Sequence, residues 1–260
     1  MPKPYFDSPL PHRFAHRGAT LGGKFDENTW LAFAAALGQG ASHIETDVQV
    51  TSDGVAVLFH DDDLLRVGAT PLLPGKNLVS DYSLQEISTL TLACGGHISS
   101  LEATLKEFPD TRFNIDVKSA SGVAAVAAII SAQNAHDRVL ISSFSDKRRK
   151  ATLALLDKPV ATGAGSSVML KAWLAVSARG LFGAKLSRAL LRAALRGVDA
   201  VQIPVSSGLL RFDRPEFVSA IRGLGVEVHF WVINDAETAK RLLALGASGL
   251  ISDDLPALSR

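Results

Sequence analysis

Short apolar runs alternate with longer amphipathic stretches along most of the chain. Runs of this length, bounded by glycine, proline and polar residues, are typical of β-strands. Eight of them are present, at residues 12–16, 43–50, 112–117, 138–142, 159–163, 199–203, 226–232 and 248–252. The stretches between them repeat apolar residues with a helical period and predict helices at 28–38, 122–134, 145–156, 186–196, 214–223 and 236–246.

This alternation indicates the fold class. Strands that alternate with helices build βαβ units and a parallel sheet. Eight units within 260 residues fit a closed barrel better than an open doubly wound sheet, because a barrel of this kind needs about 250 residues. We therefore expect an α/β protein with a (β/α)8 fold, the TIM barrel, and a single domain over residues 1–260.

One region interrupts the alternation. Residues 51–54, Thr-Ser-Asp-Gly, predict a tight turn, and the apolar run 55–59 follows as a ninth strand with no helix before it. Residues 61–98 then contain prolines, glycines and short polar patches, with one helix expected near 84–90. We expect 43–59 to be the second barrel strand with a hairpin, followed by a short insertion at about 61–98.

Composition and charge disfavour several classes of protein. The net charge is +1 and no basic run is interleaved with aromatic residues, so we expect no nucleic-acid partner. The most apolar stretch, 168–186, is interrupted by Lys171, Arg179 and Lys185, so no stable membrane insertion is expected. Cys94 is the only cysteine, and the first thirteen residues lack an apolar signal segment. Both features favour a cytoplasmic location.

The run 43–50 carries polar residues on one face. Alternate strand residues share a face, so His43, Glu45, Asp47 and Gln49 lie together. An antiparallel strand with one face in water would explain this pattern. In a parallel barrel both faces are covered, and two carboxylates inside the barrel need a cation or a proton to hold them there. Because catalytic groups of such barrels lie at the carboxyl ends of the strands, we favour a functional role.

A second polar cluster ends the run 112–117. Asn114, Asp116 and Lys118 share one face by the same period of two. A buried ion pair between Asp116 and Lys118 is the structural explanation. A third oxygen ligand beside a phosphate-binding ammonium is the functional one. Three carboxylates from two strands suit a hard cation such as Mg²⁺ or Ca²⁺, and no cysteine or histidine set has zinc spacing.

Two histidines each follow an apolar run. His16 ends the run 12–16, and His60 directly follows the run 55–59. One histidine in such a position is usually a polar cap, but two suggest an acid and a base, which phosphodiester cleavage needs. Arg17, next to the first histidine, has a planar guanidinium that matches two phosphate oxygens.

In chain order, these residues resemble the motifs of the glycerophosphodiester phosphodiesterase family. Each motif alone is weak, but the ordered set is specific and covers nearly the whole chain. The matching segments are His16-Arg17-Gly18, Glu27-Asn28-Thr29, Glu45-Thr46-Asp47-Val48, Thr51-x-Asp53-Gly54, His60-Asp61, Ile115-Asp116-Val117-Lys118, Ser143-Phe144, Trp231-Val232-Ile233-Asn234 and Ile251-Ser252-Asp253. The resemblance implies a (β/α)8 barrel with a small insertion after the second strand.

The resemblance also implies a role for each of ten residues. One divalent cation would be bound by Glu45, Asp47 and Asp116. The catalytic acid and base would be His16 and His60, and the substrate phosphate would be held by Arg17 and Lys118. The substrate pocket would be lined by Trp231. The first helix would begin at Glu27 and Asn28, which would support the metal ligands from behind.

The activity that the resemblance implies is metal-dependent hydrolysis of a glycerophosphodiester to glycerol 3-phosphate and an alcohol. The nucleophile is either water or the glycerol 2-hydroxyl. Family members usually have Glu where this chain has Asp116, and related phospholipase D barrels favour Asp there. A lysophospholipase D or sphingomyelinase-D-like activity is therefore the alternative. A non-catalytic barrel that binds phosphodiesters is a second alternative, which the complete set of polar residues disfavours.

The apolar stretch 168–186 allows two interpretations. It is either a helix that packs on the barrel or an apolar lip that touches lysolipid or a membrane surface. We favour the packed helix, in which Trp173 and Phe182 belong to the core.

Overall fold

Eight parallel strands form a nearly closed barrel in the computed structural model, which describes residues 3–259. The strands of the chain are β1 (His12–His16), β2 (His43–Val50), β3 (Ala56–Leu58), β4 (Arg112–Val117), β5 (Val139–Ser142), β6 (Ala161–Thr162), β7 (Ala200–Pro204), β8 (Ser206–Ser207), β9 (Leu210–Arg211), β10 (Glu227–Trp231) and β11 (Gly249–Ser252). The barrel order is β6-β5-β4-β2-β1-β11-β10-β7, and each neighbouring pair is parallel. The predicted (β/α)8 fold is confirmed, and each predicted barrel strand agrees within two residues.

The barrel closes between its two end strands, β6 and β7, through one residue. The amide of Asp199, just before β7, donates to the carbonyl of Thr162 at 3.0 Å. The Asp199 side chain accepts from the Thr162 amide at 2.9 Å. A side-chain carboxylate thus replaces a strand hydrogen bond at this seam, because β6 contains only two residues and offers few backbone partners.

Nine helices follow or separate these strands within the described residues. They are α1 (Trp30–Gly38), α2 (Leu84–Ile87), α3 (Leu101–Glu107), α4 (Gly122–Ala132), α5 (Asp146–Ala154), α6 (Ser166–Ser177), α7 (Arg179–Ala194), α8 (Pro215–Arg222) and α9 (Ala236–Ala244). Side-chain oxygens cap several of their first turns, which satisfies amides that a helix start leaves unpaired. These caps are Thr29, Ser83, Ser100, Ser145 and Asp235.

Several helix predictions need correction. Helix α1 begins at Trp30 rather than at residue 28, because Asn28 has a φ of 57° and Thr29 is the N-cap. Helix α7 is interrupted at Gly183, whose φ of 75° and ψ of 163° are not helical, so the helix predicted at 186–196 corresponds to the part of α7 that follows this break. The part of α7 before Gly183 and the whole of α3 were not predicted. The hairpin of β8 and β9 was also not predicted, because each of its strands contains only two residues.

The insertion after the second barrel strand lies where the sequence indicated. Strand β3 pairs antiparallel with β2, and residues 61–98 follow it with α2 as their one α-helix. The insertion has a small apolar core of its own, which includes Leu64, Tyr82 and Ile87. The Asp26 carboxylate binds the amides of Cys94 and Gly96, so it ties the end of the insertion to the loop before α1. The insertion is therefore fixed against the barrel rim.

The amino end of the barrel is filled by aromatic and imidazole rings. His12, His43 and His229 are fully buried there, and the His43 ring stacks on Phe14 with 4.5 Å between centroids. Burial lowers the pKa of His43 well below its usual value, so this ring is neutral. The polar face of β2 therefore contributes to two regions. His43, at the amino end of the strand, belongs to the core, and only the polar residues nearer the carboxyl end of β2 face the other end of the barrel. Within residues 3–259, none of the helices combines the length and the apolar character needed to cross a bilayer.

Candidate active site

A cavity of about 650 Å³ opens at the carboxyl ends of the barrel strands. In a TIM barrel this end carries the chemistry, because loops after the strands can vary without disturbing the core. Eight of the ten predicted site residues line it: His16, Arg17, Glu45, Asp47, His60, Asp116, Lys118 and Trp231. The other two, Glu27 and Asn28, contact these residues from the loop before α1.

Asp47 is the centre of the charged side of this cavity. Its Oδ1 lies 2.8 Å from Lys118 Nζ, and its Oδ2 lies 3.1 Å from Arg17 Nε. Asn28 donates a further hydrogen bond to Oδ2 at 3.1 Å. Burial would raise the pKa of Asp47, but Lys118 and Arg17 more than offset it and hold that pKa below its usual value. Asp47 is therefore a buried carboxylate that stays charged.

Asp116 lies beside Asp47 because β2 and β4 are neighbours in register. The two residues are partners in the β2–β4 ladder, and Lys118 Nζ is 2.8 Å from Asp116 Oδ2. The ion pair between Asp116 and Lys118 that the structural interpretation predicted is therefore present. Asp116 also lies beside Asp47, as the functional interpretation requires. The second oxygen, Asp116 Oδ1, is buried and has no hydrogen-bond partner. A buried carboxylate oxygen without a donor is costly unless a ligand completes it.

Glu45 is the third carboxylate and behaves differently from Asp47. Burial, together with the negative charge of Asp47, raises the pKa of Glu45 to about 8. Its Oε2 accepts from the Arg17 amide at 3.2 Å and lies 4.0 Å from His16 Nε2. Without a cation, the Glu45 carboxyl therefore keeps its proton up to a higher pH than an exposed glutamate does.

Replacing Glu45 with glutamine is expected to change how the stability of the metal-free protein depends on pH. A group whose pKa is raised on folding stabilises the protein below its ordinary pKa, and this contribution is lost as the pH rises through about 8. Glutamine cannot ionise, so the melting temperature of Glu45→Gln should exceed that of wild type by more at pH 8 than at pH 5. Calorimetric scans of chelator-treated protein check this, and pH profiles that run parallel would contradict it.

Each predicted catalytic histidine has one ring nitrogen held by a carboxylate. His16 Nδ1 is 2.7 Å from Asp253 Oδ1, and Asn234 in turn donates to Asp253 at 2.9 Å. Burial would lower the pKa of His16, but the hydrogen bond to Asp253 and the charge of Glu45 raise it overall. His60 Nδ1 is 2.6 Å from Asp61 Oδ1. A carboxylate on one nitrogen fixes the ring, so that the other nitrogen can face the cavity.

An ionic network connects the two histidine sides of the cavity. Arg17 Nη1 donates to Glu27 Oε1 at 3.1 Å, and Arg66 Nη1 donates to Glu27 Oε2 at 3.2 Å. Arg66 Nε also contacts Asp61, the carboxylate that holds His60. Arg66 was missed from the sequence, because an arginine in a polar insertion gives no signal of its partners. It links the insertion to Arg17 and His60 at once.

Gly18 allows the loop after β1 to carry these groups. Its φ is 87°, and a Cβ at this position would lie 2.7 Å from Ala32 Cβ. Any other residue would therefore meet both backbone strain and a clash with α1. The close approach places Arg17 above β2, where its amide binds Glu45.

Comparison with known proteins identifies the family. The sequence model of the Glycerophosphoryl diester phosphodiesterase family matches residues 16–257. The chain belongs to this family. It is therefore an enzyme, a glycerophosphodiester phosphodiesterase, and the resemblance first indicated by its motifs is confirmed.

Three relatives illustrate how far this phosphodiesterase resembles known proteins. "Probable glycerophosphodiester phosphodiesterase 2" of Mycobacterium tuberculosis is 37% identical over 92% of this chain and 86% of its own length. A glycerophosphodiester phosphodiesterase from Agrobacterium tumefaciens has the same fold, with a TM-score of 0.74, 22% identity and coverage of 95% and 96%. A phosphodiesterase from Oleispira antarctica, solved with its product sn-glycerol-3-phosphate, gives 0.73, 22% and 96% of each chain.

The phosphodiesterase cavity also has an apolar side, which sequence patterns described only in part. Phe144 is 61% exposed, and its ring meets the Trp231 ring edge-on with 6.3 Å between centroids. Trp231 lines the cavity, and its contact with substrate stays a prediction. Much of the remaining apolar lining comes from α6, β7 and the segment around β9: Met169, Leu170, Ile203, Pro204, Leu210 and Phe212. The cavity therefore joins a charged half to an apolar half.

The apolar stretch 168–186 is both packed and exposed. Met169 and Val176 are buried, and Trp173 packs against the same core cluster. Leu170 and Leu174 are about half exposed, and Leu181 is 84% exposed. The side chain of Phe182 lies outside the described part of the structure. The packed-helix interpretation accounts for Trp173, and the exposed leucines need a separate explanation.

The family generally depends on a divalent cation, and the residues present suit one. Within residues 3–259, however, no three histidine, cysteine or carboxylate side chains converge closely enough to hold a metal ion. The reason is visible in the contacts: Lys118 Nζ is 2.8 Å from both Asp47 and Asp116. The unpaired Asp116 Oδ1 and the buried Glu45 carboxyl, whose pKa is raised, are the features that a cation would stabilise.

Proposed function

We propose that the cavity at the carboxyl ends of β2 and β4 hydrolyses glycerophosphodiesters to glycerol 3-phosphate and an alcohol, with the help of one divalent cation. The observation that carries this proposal is the meeting of opposite charges in one cavity. Three carboxylates, two cationic side chains and two carboxylate-bound histidines line the same 650 Å³. Stable folding alone does not require such a set, since buried ion pairs repay their desolvation poorly.

The cation would be held by Glu45, Asp47 and Asp116. Carboxylate oxygens are the ligands that Mg²⁺ and Ca²⁺ prefer, and we propose one of these two ions. When bound, it would supply positive charge to the phosphoryl oxygens. Its binding requires the carboxyl of Glu45 to lose its proton and Lys118 to leave one of its carboxylate partners. Cation binding would therefore free the Lys118 ammonium for substrate.

Arg17 and Lys118 would hold the substrate phosphate. Both side chains reach the cavity, and both are already fixed by carboxylates, so little conformational entropy is lost when a phosphate binds. Trp231 and Phe144 would then contact the glycerol or the leaving alcohol on the apolar side. Asn28 would support Asp47 from behind, whereas Glu27 would act on Arg17.

His16 and His60 would move the protons. One histidine takes the proton of the nucleophile, and the other gives a proton to the leaving oxygen as the phosphorus–oxygen bond breaks. The raised pKa of His16 favours it as the protonated partner, and therefore as the acid. The nucleophile is water or the glycerol 2-hydroxyl; the latter would give a cyclic phosphate first. For the cellular location we propose the cytoplasm, which the exposed free thiol of Cys94 supports.

The purified protein is expected to release glycerol 3-phosphate from glycerophosphocholine. A coupled assay with glycerol 3-phosphate dehydrogenase measures the product directly. Exhaustive chelation should remove the activity because three carboxylates then lack their common counter-ion, and Mg²⁺ or Ca²⁺ should restore it. Full activity in chelator, or release of choline phosphate in place of glycerol 3-phosphate, would contradict the proposal.

Lysophospholipase D activity remains the second candidate because of the apolar half of the cavity. Leu170 lines the cavity and is also exposed at its mouth, where an acyl chain could lie. The relative rates on lysophosphatidylcholine and glycerophosphocholine separate the two activities. A faster rate on the lysolipid would favour this second candidate.

A further inference from the structure

An acid-free segment covers one side of the barrel beside the cavity. Between Asp157 and Asp199 the chain contains no acidic residue, although its overall net charge is only +1. The segment includes seven basic residues, all of them exposed: Lys158, Lys171, Arg179, Lys185, Arg188, Arg192 and Arg196. Five of these cations lie on α6 and α7, whereas Lys158 precedes β6 and Arg196 follows α7.

None of these seven side chains forms a salt bridge within residues 3–259, although thirteen salt bridges of other lysine and arginine residues occur in that range. Arg188 donates only to a backbone carbonyl, and Lys158 only to an amide oxygen. The fold thus leaves this group of cations without protein counter-ions. A surface of this kind attracts an anionic partner.

Exposed leucines share the same two helices. Leu170 and Leu174 lie on α6, Leu186 and Leu190 lie on α7, and Leu181 near the start of α7 is 84% exposed. We call these five leucines and the five cations of α6 and α7 (Lys171, Arg179, Lys185, Arg188 and Arg192) the α6–α7 surface. Single exposed leucines need no explanation, but five on one helical pair add considerable apolar surface to these two helices. Basic and apolar side chains on one surface are typical of proteins that bind membrane interfaces.

The α6–α7 surface continues to the mouth of the cavity. Leu209, at the tip of the β8–β9 hairpin, is 99% exposed. Trp173 of α6 donates to the carbonyl of Arg211 at 3.2 Å and so joins the helix to this hairpin. Both elements line the cavity, through Leu170 and Leu210. A partner bound to the α6–α7 surface would therefore lie next to the entrance of the active site.

We propose that the α6–α7 surface docks reversibly on the surface of an anionic phospholipid bilayer. The unpaired cations would meet lipid phosphates, and the leucines would enter the interface between head groups and acyl chains. A second copy of this chain fits less well, because a symmetric pair would bring the same cations together. This docking does not depend on the proposed hydrolysis, since binding to a bilayer is measured without substrate.

Co-sedimentation with vesicles tests the proposal. Wild-type protein is expected to bind equimolar phosphatidylcholine–phosphatidylglycerol vesicles, to bind pure phosphatidylcholine vesicles weakly, and to lose binding in high salt. Two double variants are compared with wild type: Leu181→Ser with Leu209→Ser, and Lys171→Glu with Arg179→Glu. The charge variant should lower the partition coefficient at least about tenfold, since each basic residue near such a surface contributes about fivefold. The leucine variant should lower it by at least about tenfold as well, because it removes apolar side chains that would enter the interface. None of these four residues lines the cavity.

The matched control combines Leu10→Ser with Lys240→Glu. Leu10 is 58% exposed before β1, and Lys240 is exposed on α9. This variant should bind vesicles within about twofold of wild type, and all variants should keep the melting temperature and the activity on soluble glycerophosphocholine. Absence of wild-type binding to anionic vesicles would overturn the proposal. Unchanged binding by both double variants, or a wild-type dimer that these variants dissociate, would overturn it as well.

Discussion

Asp47→Ala is expected to lower the turnover of glycerophosphodiesters by at least about 10⁴-fold, to the background of the assay. Asp47 is 2% exposed and contacts Lys118, Arg17 and Asn28 at once. Its loss removes one proposed cation ligand and also frees both proposed phosphate-binding side chains. No other single substitution in the cavity disturbs so many of the proposed roles.

The matched variant for Asp47 is Asp47→Asn, which keeps the side-chain volume and removes only the charge. It should be nearly as inactive as alanine, because an amide cannot balance Lys118 and Arg17. Circular dichroism and the melting temperature should show that both variants fold, since the Asp47 side chain lines the cavity and contributes little to apolar packing. Activity that survives both substitutions and exhaustive chelation would exclude the proposed cation site.

His16→Ala and His60→Ala are each expected to lower turnover by about 10²–10⁴-fold, the usual range for a positioned proton donor or acceptor. Substrate binding should change little, because the phosphate is assigned to Arg17 and Lys118. The wild-type pH–rate profile should be bell-shaped if both rings titrate, and each variant should lose one limb. Steady-state kinetics across pH measures both effects.

The control for the histidines is His97→Ala. His97 lies in the insertion, binds the carbonyl of Leu90 at 2.9 Å and does not line the cavity. It should keep near-normal turnover. Asp253→Asn should cost less than His16→Ala, because it disturbs only the orientation of the ring. A His16 or His60 variant with near-normal turnover would show that its role had been misassigned.

The sequence sufficed for the fold because both faces of a parallel barrel strand are covered. A continuous apolar run such as that of β5 must be covered on both faces. The alternation of such runs with helices is therefore compatible with only a few architectures. The grouping of Glu45, Asp47 and Asp116 was also predictable. Their strands are parallel, and residues at the carboxyl ends of parallel strands meet at one edge.

Contacts between distant segments were not predictable in the same way. Lys118 binds Asp47, seventy-one positions earlier, only because β4 lies next to β2 in the barrel. Arg66 meets Glu27, thirty-nine positions earlier, only because the insertion folds back on the rim. Neither contact has a local period or a capping pattern. The start of α1 was misplaced for a local reason, the left-handed backbone at Asn28.

The most direct test is a crystal structure of the protein grown with Mg²⁺ and glycerol 3-phosphate. We expect one cation bound by Glu45, Asp47 and Asp116, with the phosphate against Arg17 and Lys118. Lys118 should then have left at least one of the two carboxylates that it contacts at 2.8 Å in the present structure. A cation held by other residues, or a phosphate bound outside this cavity while Lys118 still bridges Asp47 and Asp116, would contradict it.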